Sequence, residues 1–469
     1  MPNIFEVLRR TENGPYIKER DFDMKLFKTA TRLVKEHGIK FDKDVIVTSD
    51  DRMADGMFEA GLRMAVEMGM LCTDTSRVIE FTEQELLQAL KQAPQEMLVG
   101  QGRDSRVLRA RRFDDGYPMM VCGGCPGTPL PEELFLPVMM SYAKEPLIDL
   151  LIPGSLTRIE GMDVTTGGPL EIRACRQEMI WTREALERAG RPGLHIYAAG
   201  ESSATDLGTL AICNDRYMRT SDSHMIPVLS ELKTDNKRLS RVMAGYEYPA
   251  FTTSLIDPII GGFGGGPEGA AIVLTAAIML STAAYRVDMH CLHPIHNKYI
   301  SVSTKQGMWV DSVVGRAFAR NAPLALLADA WTTAGAGTEE ILFETAALAI
   351  AQEASALHTD SLGATNGVYP NCSGLEARFF GEVAHAVFEQ KMTPEEANDL
   401  VLRLFALYEH GFDDPNLGLP FPEVYDVNVI EPKAAWLETY ERTKDAVAQM
   451  GLEFGVRVPS RQAAPVVGE

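Results

Sequence analysis

The chain has 469 residues, 45% of them hydrophobic, and a formal net charge of -20. That length can bury a large core, and it exceeds the usual single-domain size unless the fold is an α/β barrel with additions. The negative field repels phosphate backbones and anionic lipid, which excludes nucleic acid and membrane surfaces as partners and favours a cationic substrate or a basic protein surface. No uninterrupted apolar run reaches membrane-spanning length, and MPNIFEVLRRTENG lacks a basic start and apolar core, so a cytoplasmic protein is expected.

In chain order, residues 1–110 read as a helical extension. DMKLFKTATRLVKEHG and MADGMFEAGLRMAVEMG carry apolar residues at three-to-four spacing, and Thr82 and Glu85 predict a capping box for TEQELLQALKQA. Short apolar runs then alternate with helix-like segments. The runs are PMMVC, LIDLLI, LHIYA, HMIPVL, FTTSLI, RVDMHCL, LALLADAW and SLGATNGV; the helices start near Pro131, Pro169, Ala204, Asp235, Pro267, Thr304, Thr338 and Ser373. Eight such units predict an α/β fold, a (β/α)8 TIM barrel over 111–392, rather than an open sheet, which usually has fewer strands and a reversal point. Residues 393–469 read as C-terminal helices packed on the barrel, with RQAAPVVGE as a frayed tail.

In such a barrel the loops after the strands gather on one face, where chemistry is built. In AAGESSATDLG, Glu201 and Ser202 sit at the strand-to-helix turn of the third unit. GGFGGGPEG holds a formal G-x-G-x-x-G at Gly264, Gly266 and Gly269 with Asp288 downstream; it reads as a dinucleotide fingerprint or, in the fifth of eight units, as a tight turn. HCLHPIH places His290, His293 and His296 at H-x-x-H-x-x-H spacing, which suits a zinc site or one or two pocket histidines. Cys122 and Cys125 form a C-x-x-C that is a redox pair, half a metal site or two packed thiols; seven scattered cysteines argue against a disulfide framework. Glu160, Glu201, Asp222, Asp257, Glu268, Asp329, Trp331 and Tyr369 fall on the same predicted face, and acids with aromatics hold methylated cationic nitrogen. There is no G-x-S-x-G elbow, Walker loop or H-E-x-x-H.

The chain resembles the monomethylamine methyltransferases. The resemblance runs from about residue 20 to 455. It is carried by EMGMLCTDTSRVIEFTEQE, GRD at 102–104, GG-x-x-G-T-P at 123–129, PVMMSYA at 137–143, AGRPG at 189–193, DSH at 222–224 and SELKTD at 230–235. It continues in GGFGGG-x-E at 261–268, AGAGTE at 334–339, GLEARFFGEVA at 374–384 and VYDV at 424–427. The family moves a methyl group from methylamine to the cobalt of a corrinoid carried by a partner protein. The resemblance places Ser202 at the position of the family's pyrrolysine, whose imine holds the amine; a serine hydroxyl is a nucleophile and cannot do so.

The resemblance therefore implies a serine-bearing relative working with a cognate corrinoid protein and a small methylated substrate, assembled as a homo-oligomer, a hexamer by resemblance. A quaternary ammonium leaves as a neutral amine and needs only placement, so a quaternary or otherwise N-methylated amine is the favoured substrate. An O- or S-methyl compound with zinc on the three histidines is the alternative. Expected catalytic residues are Ser202, Glu201, His224 and Asp329. Tyr197, Asp222, Asp257, Phe263, Trp331 and Tyr369 are expected to bind substrate, and Gly264, Gly265 and Gly266 to face the corrinoid. A non-catalytic methylamine-binding protein and a nicotinamide enzyme are the readings from other classes.

Overall fold

The computed structural model describes residues 3–363 and 365–455; the tail RQAAPVVGE lies outside them. Four helices come first: α1 (Ile4–Asn13), α2 (Glu19–His37), α3 (Asp51–Met68) and α4 (Glu83–Gln92). The two apolar stripes are α2 and α3, which bury Phe22, Leu26 and Leu33, and Met57, Met64 and Met68. The capping box forms: Thr82 Oγ1 accepts from Glu85 N at 3.2 Å and the Glu85 carboxylate accepts from Thr82 N at 2.9 Å. Two hairpins interrupt this layer, Met70–Cys72 with Arg77–Ile79 and Glu96–Val99 with Arg106–Arg109. Strands this short carry too few alternations to register as a pattern.

The eight parallel strands are β1 (Cys122–Gly123), β2 (Leu150–Leu151), β3 (His195–Ile196), β4 (Ser223–Val228), β5 (Phe251–Ile256), β6 (Met289–Leu292), β7 (Leu326–Asp329) and β8 (His358–Ser361). Ladders join β1, β2 and β3, and β4 through β8, in sequence order. Backbone bonds bridge both seams: Ala199 N to Ser223 O (2.8 Å) carries β3 onto β4, and Thr359 N to Met120 O and Leu362 N to Gly124 O (both 3.2 Å) return β8 to β1. The second hairpin plugs the N-terminal end, its Met97, Val99 and Leu108 packed on Met120, Cys122, Leu150 and Tyr197.

Helices α5 (Glu132–Ala143), α6 (Pro169–Arg188), α7 (Asp206–Ile212), α8 (Asn236–Glu247), α9 (Pro267–Ala284), α10 (Lys305–Asn321), α11 (Glu339–Glu353) and α12 (Gly374–Gln390) follow the strands in turn. Proline at the first position of α6 and α9 costs no hydrogen bond, because that N–H has no intrahelical partner. Among the described residues α9 is the one helix long and apolar enough to cross a membrane, yet it is 94% buried. The barrel covers its inner side and α2, α3 and α4 its outer side, so it needs no polar face. α13 (Pro394–Tyr408) and the helix Ala434–Gln449 cover α11 in the same way.

The eighth strand differs from expectation. It is centred on HTDS rather than on SLGATNGV, ending where the sequence reading began. Its four polar side chains are all buried, and three of them are supported by hydrogen bonds: His358 Nδ1 accepts from Met120 N (2.9 Å), Thr359 Oγ1 donates to Ala328 O (3.3 Å), and the Ser361 hydroxyl donates to Asp329. Apolar periodicity does not register a strand whose burial is satisfied this way.

Candidate functional site

A cavity of about 160 Å³ opens at the C-terminal end of the barrel. Each wall is the end of a strand or the loop after it: Gly127 from the first unit, Ile152 from the second, Glu201 from the third, Met225 from β4, Asp257 after β5, Cys291 and His293 from the sixth, Asp329 and Trp331 from the seventh and Asp360 from β8. A larger groove of about 660 Å³ lies outside, between α7 and α8, lined by Cys213, Asp215 and Glu247 and remote from the strand ends.

The loop bearing Glu201 is held from behind. Glu178 of α6, fully buried, accepts from Gly200 N (2.9 Å) and Glu201 N (3.3 Å) with one oxygen and from Ser202 N (2.8 Å) with the other. Arg241 of α8 donates to Ser203 O and Thr205 O (3.1 and 2.6 Å). This geometry aims Glu201 inward, where one oxygen accepts from Gly127 N (3.1 Å) and the other is buried without a hydrogen bond. Ser202 takes no part in the lining. Its hydroxyl oxygen accepts from Leu156 N (2.8 Å), so it ties the second and third loops together.

His293 stands between two acids, its Nδ1 3.4 Å from Asp257 and 3.4 Å from Asp329, and its ring meets Trp331 edge-on with centroids 4.3 Å apart. Burial opposes its charge, but Asp329, Asp257 and Asp360 outweigh burial and raise it to about 9. Burial and the charges of Glu178 and Asp360 push Glu201 well above the carboxylate range; burial and Asp329 do the same to Asp360. Burial also raises Asp329, against the pull of His293 and the Ser361 hydroxyl. Acids so crowded favour a proton or a cation beside them. Trp331 is wedged in place: a Cβ on Gly363 would lie 2.0 Å from its Cδ1.

Several expected residues lie elsewhere. Asp222 precedes β4 at the opposite end of the barrel and is engaged by Arg219 (2.6 Å) and Ile196 N (3.0 Å). His224 turns outward against Gly245 of α8, and burial lowers it to about 3. The three histidines do not converge. His290 faces α9, with Ser254 and Ser281 hydroxyls at 2.8 and 3.3 Å from Nδ1 and Thr282 at 3.1 Å from Nε2, while His296 stacks on Tyr299 at 4.8 Å. Successive strand positions alternate faces, and only His293 meets the cavity. Tyr197 is buried beneath it, and burial together with the charge of Asp360 raises the phenol.

Phe263 and Tyr369 are half exposed on loops at the rim. Gly264–Gly266 form a turn closed on itself, Gly261 N to Gly265 O at 2.7 Å, and a Cβ on Gly269 would sit 1.8 Å from Gly264 O. Gly269 is thus a packing requirement and Gly265, at φ 88°, a conformational one, while Asp288 is spent on Thr252 N (2.8 Å). Glu160 pairs with Arg173 at the surface and Glu268 accepts from Phe41 N. Cys122 lies in the barrel interior and Cys125 against Cys372 in the outer layer, so the C-x-x-C thiols diverge.

The geometry also brings in residues the sequence reading left out. Asp360 and Cys291 line the floor, and Asp360 belongs to the misplaced strand. Glu178 and Arg241 sit in ordinary amphipathic helix and carry no local signal.

A sequence model of the family described as Monomethylamine methyltransferase MtmB matches residues 2–452. Monomethylamine methyltransferase MtmB2 of Methanosarcina acetivorans is 30% identical over 460 residues, 96% of this chain and 98% of that protein. MtmB1 of Methanosarcina barkeri is 30% identical over the same shares. The crystal structure of the Methanosarcina barkeri monomethylamine methyltransferase superposes with a TM-score of 0.92 at 28% identity, covering 96% of this chain and 98% of that one; a hydroxylamine complex of MtmB matches equally well.

Proposed function

The chain belongs to the monomethylamine methyltransferase family, and on that premise we propose that it transfers a methyl group from a small N-methylated ammonium compound to the Co(I) corrinoid of a cognate carrier protein. The observation that carries this reading is the cavity of about 160 Å³ in which Glu201 and Asp257 share the lining with the indole of Trp331. Typical small-molecule pockets are roughly 300–1,000 Å³, so the volume suits only a few heavy atoms. Acids supply Coulomb attraction and the indole face a quadrupole, which together select a methylated nitrogen cation over a neutral isostere.

The corrinoid is the second substrate and supplies the nucleophile. The residues of this chain then have three tasks. Glu201 and Asp257 hold the cation near the mouth, Trp331 and Ile295 keep water from its methyl groups, and the rim bearing Phe263 and Tyr369 meets the carrier. A quaternary ammonium suits this arrangement best, because its leaving group is already a neutral amine and placement supplies most of the advantage. With His290 turned toward α9, the O- and S-methyl alternative has no three-histidine zinc site.

Anaerobic absorbance tests the proposal. Co(I) corrinoid on its co-encoded carrier is mixed with this protein and a panel of methylamine, quaternary ammonium, ether and thioether compounds. Conversion to the methylated corrinoid with an N-methyl compound is expected; conversion with ethers or thioethers alone, or with none, overturns it.

A further inference from the structure

We infer that Cys291, Asp329 and Asp360 form a binding site for a divalent metal ion of the zinc class on the floor of the cavity. One ligand atom from each lies within 4.8 Å of the other two, and all three residues are buried. A tetrahedral zinc ion with bonds of about 2.0–2.3 Å holds its donors roughly 3.5 Å apart, so the set closes on the metal by a shift of about 1 Å. The donor chemistry chooses the metal: a thiolate beside two carboxylates suits zinc, whereas calcium and magnesium take oxygen alone.

A second observation points the same way. Asp360 is 2% exposed and one of its oxygens has no hydrogen-bond partner, although it lines the cavity. A buried acceptor left unmade is costly, and a metal ligand bond is one way to satisfy it. Asp329 has the outer support that metal ligands usually carry: the Ser361 hydroxyl donates to one oxygen and His293 Nδ1 lies 3.4 Å from the other. Three protein ligands leave a fourth position open toward the cavity, as in metal sites that take a substrate atom. Glu201, Asp257 and Trp331 remain free of the set and keep the mouth for the substrate. This site is distinct from the three-histidine arrangement, and it does not depend on which methyl compound the protein uses.

The test is metal binding by the full-length protein, purified anaerobically and stripped with chelator. Titration with Zn²⁺ is followed by calorimetry, and titration with Co²⁺ by absorbance. One equivalent of Zn²⁺ per chain and a sulfur-to-cobalt charge-transfer band in the near ultraviolet are expected. Cys291→Ser removes the band and weakens Zn²⁺ by at least about 10-fold, the loss that even an outer-shell change causes. Asp360→Asn weakens Zn²⁺ while keeping the thiol, and Cys213→Ser, on the outer wall, changes neither. Absence of the band in the unaltered protein, substoichiometric Zn²⁺, or a band that survives Cys291→Ser overturns the inference. Because the unaltered protein alone gives the first two readings, a variant that fails to fold does not rescue it. Metal binding without methyl transfer would sink the proposed reaction and leave this site standing; methyl transfer without metal binding would do the reverse.

Discussion

Glu178→Gln is the sharpest probe of how the acidic loop is built. The carboxylate takes three backbone N–H groups on two oxygens, at 2.8–3.3 Å, in a fully buried position. With both oxygens accepting, the arrangement suits the ionised form even though burial raises its pKa. Glutamine keeps one oxygen. That oxygen can serve Gly200 N and Glu201 N together, but the amide nitrogen then faces Ser202 N and two donors oppose each other. One buried N–H is left unmade, at about 1–3 kcal/mol, a sizeable share of the roughly 5–15 kcal/mol that holds a domain together. The loop relieves the conflict by moving, and Glu201 moves with it, away from Gly127 N. Displacements of about 1 Å cost up to 100-fold in a positioned reaction. Urea unfolding and steady-state methyl transfer are the assays: a loss of about 1–3 kcal/mol together with a change of at least 10-fold in kcat/KM is expected. An unfolding midpoint and kcat/KM both unchanged would refute the reasoning.

Ser202→Ala removes the acceptor for Leu156 N, so stability should fall by about 1–2 kcal/mol in urea while methyl transfer persists; loss of turnover in a folded variant would return the hydroxyl to the chemistry. Trp331→Ala should raise the KM for a quaternary ammonium by roughly 5- to 30-fold, the equivalent of about 1–2 kcal/mol of desolvated cation–π attraction, and leave the inhibition constant of a neutral isostere little changed. Burial holds Glu376 at about 8, so the folded chain keeps a proton that the unfolded chain releases near 4.3. The native state then binds more protons between those values, and its stability should decline as pH rises from 5 to 8, by up to roughly 1.4 kcal/mol per unit from this group. Glu376→Gln should flatten that slope in urea melts; an identical slope would discount the buried proton.

The eight-unit alternation, the helix starts and the capping box at Thr82 were all legible in the sequence, because each is written locally: apolar periodicity, proline at a first turn, a serine or threonine three residues before a glutamate. Family resemblance added the reaction class. Of the expected site, Glu201, Asp257, Asp329 and Trp331 do meet in one cavity, since a barrel gathers whatever follows its strands.

What the local pattern does not carry is direction and partnership. His290, His293 and His296 share one short segment, yet the alternation of strand side chains and the break after β6 send them to three environments. His224 and Asp222 lie only two positions apart in sequence, but the first is turned outward and the second lies at the far end of the barrel. Asp360 sits in a strand whose polarity hides it, and Glu178 reaches across 22 residues to hold the backbone at Gly200. Charge state is a tertiary property as well: against the opposing effect of burial, neighbouring acids lift His293 to about 9, while burial drops His290 to about 3, although the two imidazoles are chemically the same. Sequence by itself determined the elements and their order, because hydrogen bonding and apolar spacing act over a few residues. Tertiary structure alone decided which side chains share a cavity and with what charge, because those depend on contacts between residues far apart in the chain.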